Sequence, residues 1–268
     1  MPTIYCITNE VSANFVANAL LAIGASPIMS SAIEEVDDLC AIADALLLNI
    51  GTPSQAQFQT MLAAGKRMHE LGKPIVLDPV GVNATHYRLK MAQTLIREVH
   101  PTVIKGNASE ILALATNTIL GTGLDTPINF QLDNLKTSIN FQLSNLETSI
   151  NYKLSTFNSI ANDLAKSFGS IIVVSGPTDY ITDGTHTASV TLGSPDMAKT
   201  TGTGCVASAV IAAYLAIHHP QSTIHTSSPS GGRGAFHSTI AAMTLMGQAG
   251  EDMPHFLDRL SAFSAIFQ

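Results

Sequence analysis

A glycine-rich turn directly ahead of an apolar helix is the strongest chemical signal in the sequence. The segment Lys199–Cys205 reads Lys-Thr-Thr-Gly-Thr-Gly-Cys and runs straight into the small-residue stretch Val206–Ile217. Such a turn presents unpaired backbone amides and the positive end of a helix dipole to one point, so it predicts an anion site. The same field predicts a lowered pKa for the Cys205 thiol. A purely structural turn before a tightly packed helix is the alternative interpretation.

Two familiar nucleotide motifs do not account for this turn. Gly202, Gly204 and Ala207 fit the dinucleotide pattern G-x-G-x-x-A, but no apolar strand precedes Gly202 and no Asp or Glu follows that could bind a ribose. The P-loop pattern G-x-x-x-x-G-K-[ST] does not occur anywhere in the chain. Any nucleotide site must therefore be of another type.

Two separated carboxylates could supply the metal chemistry that phosphoryl transfer needs. Asp78 ends an apolar run and precedes a proline, and Glu110 follows Asn107 at the spacing of a helix capping box. Each pattern also has an ordinary structural role, as a turn and as a helix start. Taken with the glycine turn, however, they match magnesium-assisted phosphoryl transfer, with Lys105 available to neutralise phosphate.

The elements that would position these residues follow from the apolar runs. Five runs of strand length alternate with helix-like segments, which predicts a mostly parallel sheet with helices on both faces. The runs are Thr3–Thr8, Ala45–Ile50, Pro74–Asp78, Thr102–Lys105 and Ile171–Ser175, and one intervening helix is predicted over Gln55–Leu71. Ligands of such sheets bind beyond the carboxyl ends of the strands. The residues at those ends are Asn9, Gly51, Thr52, Asp78, Gly106, Asn107 and Gly176.

An eleven-residue block beginning at Ile128 recurs at Ile139 and, more loosely, at Ile150. Its apolar spacing matches three helical turns, which predicts one long amphipathic helix over about 128–166. The repeat, at about 128–160, would then be an insertion that extends one helix of a single domain spanning 1–268. It could have no catalytic role, or its apolar stripe could need a partner. A strand is the less favoured alternative, because the two-residue alternation fails at Leu135.

Composition excludes several classes of protein. With 268 residues, 46% of them hydrophobic, the chain can bury a large core as one domain. A net charge of -7 argues against nucleic-acid partners, and the longest apolar stretch is too short to span a membrane. No basic residue precedes Lys66, so a secretory signal is not expected. Three cysteines without a CxxC pair predict free thiols and a cytoplasmic location.

Several of these stretches, taken in order, resemble the hydroxyethylthiazole kinase family of thiamine salvage. The resemblance spans residues 4 to about 217 and becomes poor after Ile217. The matching segments are Cys6–Val11, Ala19–Pro27, Leu48–Thr52, Leu77–Val80, Gly106–Glu110, Val174–Gly176, Asp179–Tyr180 and Gly202–Cys205.

The resemblance implies a ribokinase-like three-layer α/β sandwich, assembled as a homotrimer with active sites at the subunit interfaces. It implies transfer of the terminal phosphoryl group of ATP, with Mg²⁺, to 4-methyl-5-(2-hydroxyethyl)thiazole. A hydroxymethylpyrimidine kinase and a non-catalytic ligand-binding protein, in which the repeat is the working part, remain the alternatives.

The resemblance also assigns roles to individual residues. Cys205 would accept or orient the alcohol proton, and the backbone amides of the turn would stabilise the phosphoryl group in flight. The full implied set is Cys205, Gly202, Thr203 and Gly204 for catalysis; Asp78 and Glu110 for magnesium; Lys105, Ser175 and Asn107 for the nucleotide; and Met29, Asn9, Gly51, Thr52 and Gly202 for the thiazole.

Four of these positions have a second interpretation or depart from the family pattern. Met29 could simply pack in the core, and Asn9 could be a turn residue. Lys105 stands where the family usually has Arg, which removes a bidentate donor, and Ser175 replaces the more usual Thr.

Overall fold

The computed structural model describes residues 1–119, 149–218 and 231–267, and the side chains in these ranges except those of 149–156 and 231–233. In this part of the chain, eight strands form one sheet in the order β2-β1-β3-β4-β5-β6-β7-β8. The strands are β1 Thr3–Ile7, β2 Ser26–Met29, β3 Ala45–Asn49, β4 Ile75–Asp78, β5 Val103–Asn107, β6 Ile171–Ser175, β7 Asp179–Thr182 and β8 Thr187–Val190.

The six strands β1 to β6 run parallel, and β7 and β8 continue the sheet in antiparallel pairs. All five apolar runs predicted as strands form β1, β3, β4, β5 and β6, so that prediction is confirmed. The prediction missed β2, β7 and β8. These lie towards the ends of the sheet and are only partly buried, so they do not need the continuous apolar run that a central parallel strand requires.

Helices cover both faces of the sheet, as the sequence predicts. In chain order they are α1 Ala13–Ala22, α2 Val36–Ile42, α3 Gln55–Glu70, α4 His86–Val99, α5 Ala108–Thr116, α6 Ser149–Phe168, α7 Thr203–His218, α8 Gly231–Gly250 and α9 Phe256–Ser261. One apolar core lies between the sheet and the helices α1, α7, α8 and α9. A second lies between the opposite face and α2 to α6. The molecule is therefore a three-layer sandwich.

Helix α7 is the central helix of its layer. Every residue from Val206 to Ile217 is buried, which confirms the buried helix predicted from this small-residue stretch. Its many alanines allow close approach to β1, β3, β4 and α8. Because α7 crosses the middle of the sheet, its first turn is fixed beside the carboxyl ends of the central strands.

The repeat is described only in part. Residues 149–168 are helical, so the predicted long helix is confirmed over that stretch. On its apolar face, the side chains of Phe157, Ala161 and Leu164 are buried. The first two copies of the repeat lie almost entirely within 120–148, outside the described residues.

The cysteines and the apolar helices bear on two expectations that came from composition. The thiols of Cys6, Cys40 and Cys205 are all free. Among the helices that the structure describes, none combines the length and apolarity that crossing a bilayer requires.

Candidate active site

The carboxyl ends of β1 and β3 flank the point in the sheet where the connection after β1 runs to one side and the connection after β3 runs to the other. From β1 the chain crosses to β2 on one side, and β3 lies on the other side of β1. Asn9 follows β1 and Gly51 follows β3, and a Cβ atom added to Gly51 would lie 2.8 Å from Cβ of Asn9. These two segments are therefore in close contact, in the crevice where open α/β sheets bind ligands.

A buried chain of hydrogen bonds joins this crevice to the glycine turn. Nδ2 of Asn9 donates to Sγ of Cys205 over 3.3 Å and to Oδ1 of Asn49 over 3.0 Å. Nδ2 of Asn49 donates in turn to Oδ2 of Asp78 over 3.0 Å. The same carboxylate oxygen accepts a hydrogen bond of 2.7 Å from Oγ of Ser208 in α7. The chain thus connects β1, β3, β4 and α7 through their polar side chains.

Backbone amides fix the direction of this chain. The amide N–H of Gly51 donates to Oδ1 of Asn49 over 3.0 Å, and that of Ser12 donates to Oδ1 of Asn9 over 3.0 Å. Because a backbone N–H can only donate, the oxygens of both side-chain amides must face these groups. Their NH₂ groups therefore point towards Asp78 and towards Cys205, whose sulfur is a hydrogen-bond acceptor.

The glycine turn is held against the start of α1. Gly202 has φ of 96°, and a Cβ atom there would lie 2.9 Å from Cβ of Ser12, so only glycine fits without strain. Oγ1 of Thr203, the first residue of α7, donates to the carbonyl oxygen of Met197 over 3.0 Å, and its backbone amide donates to the carbonyl oxygen of Thr200 over 3.5 Å. The glycine turn therefore lies at the carboxyl edge of the sheet, where Cys205 contacts Asn9.

Lys105 lies at the centre of the charged groups. It is buried, and its Nζ lies 3.2 Å from the position that a Cβ atom on Gly204 would occupy. Burial acts to lower the pKa of Lys105, but the carboxylates of Asp78 and Glu110 outweigh it and raise that pKa above its ordinary value. Lys105 is therefore a charged ammonium that links the glycine turn to both carboxylates.

Glu110 is held by two backbone amides. Its side chain accepts 2.8 Å hydrogen bonds from the amides of Gly81 and Asn107, and the Asn107 side chain accepts from the Glu110 amide, which confirms the predicted capping box. Burial raises the pKa of Glu110 to about 7, and the nearby Asp78 adds to the rise. Burial likewise raises the pKa of Asp78, against opposing effects of Lys105 and its hydrogen-bond donors. The two acids form a buried pair that extra positive charge would stabilise.

The predicted lowering of the Cys205 pKa is wrong for this structure. Burial raises that pKa, and the carboxylate of Asp78 raises it further. Ser12, Lys105 and the side-chain amide of Asn9 act in the opposite direction but do not outweigh burial. The turn alone therefore does not decide the charge of the thiol, because the groups that the fold packs around it act more strongly.

Comparison with known proteins places this arrangement in a family. The sequence matches the family described as "Hydroxyethylthiazole kinase family" over residues 1–141 and 147–265. The chain belongs to the hydroxyethylthiazole kinase family. It is 36% identical over 261 residues to the hydroxyethylthiazole kinase of Actinobacillus succinogenes, which covers 97% of this chain and 89% of that protein. It is 37% identical over 267 residues to that of Haemophilus influenzae, with 98% and 90% covered.

Solved structures agree with this placement. The structure of a hydroxyethylthiazole kinase from Pyrococcus horikoshii superposes with a TM-score of 0.71 at 29% identity, covering 98% of this chain and 87% of that one. A ribokinase-like superfamily protein from Enterococcus faecalis, at 14% identity, gives a TM-score of 0.61, covers 99% and 86%, and supports the fold alone. The predicted ribokinase-like fold is therefore confirmed. The expectation that the family match becomes poor after Ile217 is wrong, since the match continues to residue 265.

The residues that the family resemblance assigned to the thiazole lie around the crevice. Oγ1 of Thr52 accepts a 3.1 Å hydrogen bond from the backbone amide of Glu10, which ties the segments after β1 and β3 together. Met29, at the end of β2 opposite Cys6, is 37% exposed, so the alternative of core packing is wrong. Asn9 is buried, and its side chain is hydrogen-bonded to Asn49, Cys205 and the Ser12 amide.

The residues assigned to the nucleotide lie on neighbouring strands. Asn107 and Ser175 are cross-strand partners at the ends of β5 and β6. Oγ of Ser175 lies 3.4 Å from the carbonyl oxygen of Gly106, a long hydrogen bond, and Oδ1 of Asp179 accepts a 3.0 Å bond from the Gly176 amide. Lys105, two residues before Asn107, belongs to the same edge.

Sequence reasoning missed four polar residues of the site, namely Ser12, Asn49, Arg88 and Ser208. Asn49 lies inside the segment Leu48–Thr52 that carries the family resemblance, so its polar side chain at a strand end was a usable signal. Ser208 follows Gly204 by one helical turn on the same face of α7, as its 3.3 Å hydrogen bond to the Gly204 carbonyl shows. Ser12 and Arg88 had no local signal, because only the folded chain brings them to the site.

Proposed function

We propose that this protein transfers the terminal phosphoryl group of ATP to the hydroxyl of 4-methyl-5-(2-hydroxyethyl)thiazole. Membership of the hydroxyethylthiazole kinase family supports this reaction. The structural observation that carries the proposal is the position of Lys105. Its ammonium group lies beside Gly204 of the glycine turn and interacts electrostatically with both Asp78 and Glu110. A single polyphosphate can therefore contact the turn, the ammonium and the carboxylate region together.

The carboxylates of Asp78 and Glu110 fit a magnesium ion. They supply oxygen ligands, and burial raises the pKa of each, as expected of acids whose charged form a cation would stabilise. Among the described residues no cluster of three or more His, Cys, Asp or Glu could hold a metal. We therefore assign the remaining ligands to water and phosphate oxygens. Bound there, Mg²⁺ would neutralise charge on the phosphates during transfer.

The glycine turn and Cys205 act on the reacting groups in this proposal. The alcohol oxygen attacks the terminal phosphorus, the bond from that phosphorus to the bridging oxygen breaks, and ADP leaves. The amides of Gly202, Thr203 and Gly204 stabilise the negative charge on the phosphoryl oxygens, and that of Thr203 exchanges its long 3.5 Å hydrogen bond to the Thr200 carbonyl for the phosphoryl group. Cys205 orients the alcohol, and its thiolate form, which Asn9 and Lys105 favour, accepts the hydroxyl proton.

The remaining assignments follow the edge of the sheet. We assign Lys105, Ser175 and Asn107 to the nucleotide, because they lie together on β5 and β6. We assign Met29, Asn9, Gly51, Thr52 and Gly202 to the thiazole pocket, because they surround the crevice at β1 to β3.

Assembly and location are also proposals. We propose a homotrimer in which residues 1–268 of each subunit form one domain, with active sites between subunits. The exposed apolar side chains of Met29, at the end of edge strand β2, and of Ile33 beyond it support burial against a neighbouring subunit. Three free thiols are consistent with a reducing compartment, so we propose the cytoplasm. Light scattering on the purified protein tests the trimer directly.

The test of function is an ATP-dependent phosphorylation assay on the purified protein with and without magnesium. The hydroxyethylthiazole and a hydroxymethylpyrimidine are the two acceptors. We expect phosphorylation of the thiazole that requires the metal. Exclusive use of the pyrimidine would transfer the assignment to another alcohol kinase. Absence of both turnover and detectable ATP binding would indicate a non-catalytic ligand-binding protein.

A further inference from the structure

Arg88 occupies a position that its own helix disfavours. It is the third residue of α4, and its backbone amide donates to the capping hydroxyl of Thr85 over 3.3 Å. A cation in the first turn of a helix faces the positive end of the helix dipole, which is unfavourable. Contacts of its side chain must offset this effect.

The guanidinium of Arg88 donates hydrogen bonds to backbone carbonyl oxygens of two separate segments. Nη1 lies 2.7 Å from the oxygen of Val80 and 3.2 Å from that of Ile50, and Nη2 lies 2.8 Å from that of Gly51. Ile50 and Gly51 follow β3, whereas Val80 follows β4. The planar fork of an arginine can bridge two such segments, which a single ammonium group cannot do with the same geometry.

These contacts lie beyond the end of the paired strands. The amide of Ile50 donates to the carbonyl of Asp78 over 3.2 Å, and from there the two segments continue into their loops. The Arg88 guanidinium connects the loops past that point. One loop contains Gly51, which packs on Asn9, and the other contains Gly81, whose amide holds the carboxylate of Glu110 over 2.8 Å.

We propose that Arg88 is a positioning residue that holds the loop at Gly51 in register with the loop that follows Asp78 and contains Gly81. It acts without touching the substrate. The first loop belongs to the alcohol pocket and the second to the carboxylate pair, so the spacing between them sets where the alcohol lies relative to the phosphates. This consequence rests on the proposed kinase function.

The chain offers a matched control in Lys73. Its Nζ donates to the carbonyl oxygens of Cys40, Ala41 and Ala43 over 2.8, 2.9 and 2.6 Å. Lys73 precedes β4, whereas the loops that Arg88 joins follow β3 and β4. The hydrogen bonds of Lys73 therefore lie at the opposite edge of the sheet from those of Arg88. Removal of either side chain breaks three hydrogen bonds to backbone carbonyls, but only Arg88 is beside the site.

Hydrogen exchange of the full-length protein tests the positioning itself. The amides of Gly51 and Gly81 both donate to side chains and should exchange slowly. In Arg88→Met we expect both segments to exchange about 10-fold faster or more, the scale of a lost charge-assisted hydrogen bond. In Lys73→Met neither segment should change relative to the rest of the protein. Unchanged exchange at either segment in Arg88→Met, or equal acceleration in Lys73→Met, would overturn the proposal.

Steady-state kinetics test the consequence for catalysis. Per mole of folded protein, we expect Arg88→Met to lower kcat/KM for the thiazole alcohol about 100-fold, on the scale of a misplaced reacting group, with Arg88→Lys in between. Lys73→Met should keep the wild-type kcat/KM. Wild-type kinetics in Arg88→Met would overturn the catalytic part of the inference. If the wild-type protein itself shows no turnover, the proposed function fails, and the exchange experiment alone decides the positioning role.

Discussion

The side-chain amide of Asn9 donates a hydrogen bond to the sulfur of Cys205 over 3.3 Å. Its oxygen is turned away from the sulfur by the backbone amide of Ser12, so the polarity of the contact is fixed by the fold. Asn9 therefore opposes the effects of burial and of Asp78, which raise the Cys205 pKa. A residue assigned to the substrate pocket thus also contacts the thiol and lowers its pKa, although burial and Asp78 outweigh it.

The first prediction concerns this contact. We expect Asn9→Ala to raise the pKa of Cys205 further, because one donor to the sulfur is lost. The measurement is the pH midpoint of iodoacetamide alkylation of Cys205, with the other two thiols buried. We also expect kcat to fall about 10-fold, the lower range for lost acid–base assistance.

Asn18→Ala is the matched control for that variant. Asn18 is an exposed residue of α1 whose side chain bonds locally, to Asn14. The Asn18→Ala substitution should leave both the pH midpoint of Cys205 alkylation and kcat unchanged. An unaltered midpoint in Asn9→Ala would show that the contact does not influence the thiol.

The second prediction concerns Cys205 itself and pH. Because the Cys205 pKa is raised, the thiol dominates at neutral pH and the thiolate fraction grows as pH increases. If the thiolate accepts the hydroxyl proton, kcat should rise with pH through the neutral range and beyond. Cys205→Ala should lower kcat by about 10-fold or more and remove this rise. Cys40→Ala, which removes a buried thiol from α2, should retain the pH profile. A Cys205→Ala enzyme with the wild-type rate and profile would remove the residue from the mechanism.

The short motifs were predictable because they report local geometry. The capping box of Asn107 and Glu110, the carboxylate at the end of β4 and the glycine turn ahead of α7 each depend on a few consecutive residues. Alternating strands and helices then bring strand ends to one edge of a sheet. The long-range chemistry was not predictable in this way. Ser208 bonds to Asp78 from a position 130 residues away, and the charge balance around Cys205 depends on the complete fold.

The third prediction concerns the metal. Asp78→Asn removes one carboxylate charge but keeps a side-chain oxygen and a similar volume. We expect the magnesium concentration that gives half-maximal activity to rise roughly 10-fold or more, the usual scale for disturbed metal sites. Activity as a function of magnesium at saturating ATP measures this. Glu98→Gln, on α4 with a partly exposed side chain that forms ion pairs with Lys66 and Arg97, is the control and should not change the metal requirement. An unshifted requirement in Asp78→Asn would exclude the carboxylate from the metal site.

The fourth prediction compares the two glycines of the turn. Alanine at Gly202 must adopt φ of 96° and places Cβ 2.9 Å from Cβ of Ser12 in a buried contact. We expect Gly202→Ala to lower the free energy of unfolding by at least about 1–2 kcal/mol, because a left-handed conformation is strained for any residue with a Cβ atom. Thermal or denaturant unfolding measures this loss. The Gly202→Ala substitution should also reduce activity strongly, since the backbone amides of the turn move with residue 202.

Gly204→Ala should be milder for the fold and selective for the nucleotide. Its Cβ would lie 3.2 Å from Nζ of Lys105, the far end of a flexible side chain that can shift by a few tenths of an ångström. Stability should therefore stay near the wild-type value, while KM for ATP rises because the ammonium is displaced from the turn. The reverse ranking, with Gly204→Ala unfolding more easily than Gly202→Ala, would mean that the contact between the turn and α1 is not what holds Gly202 in place.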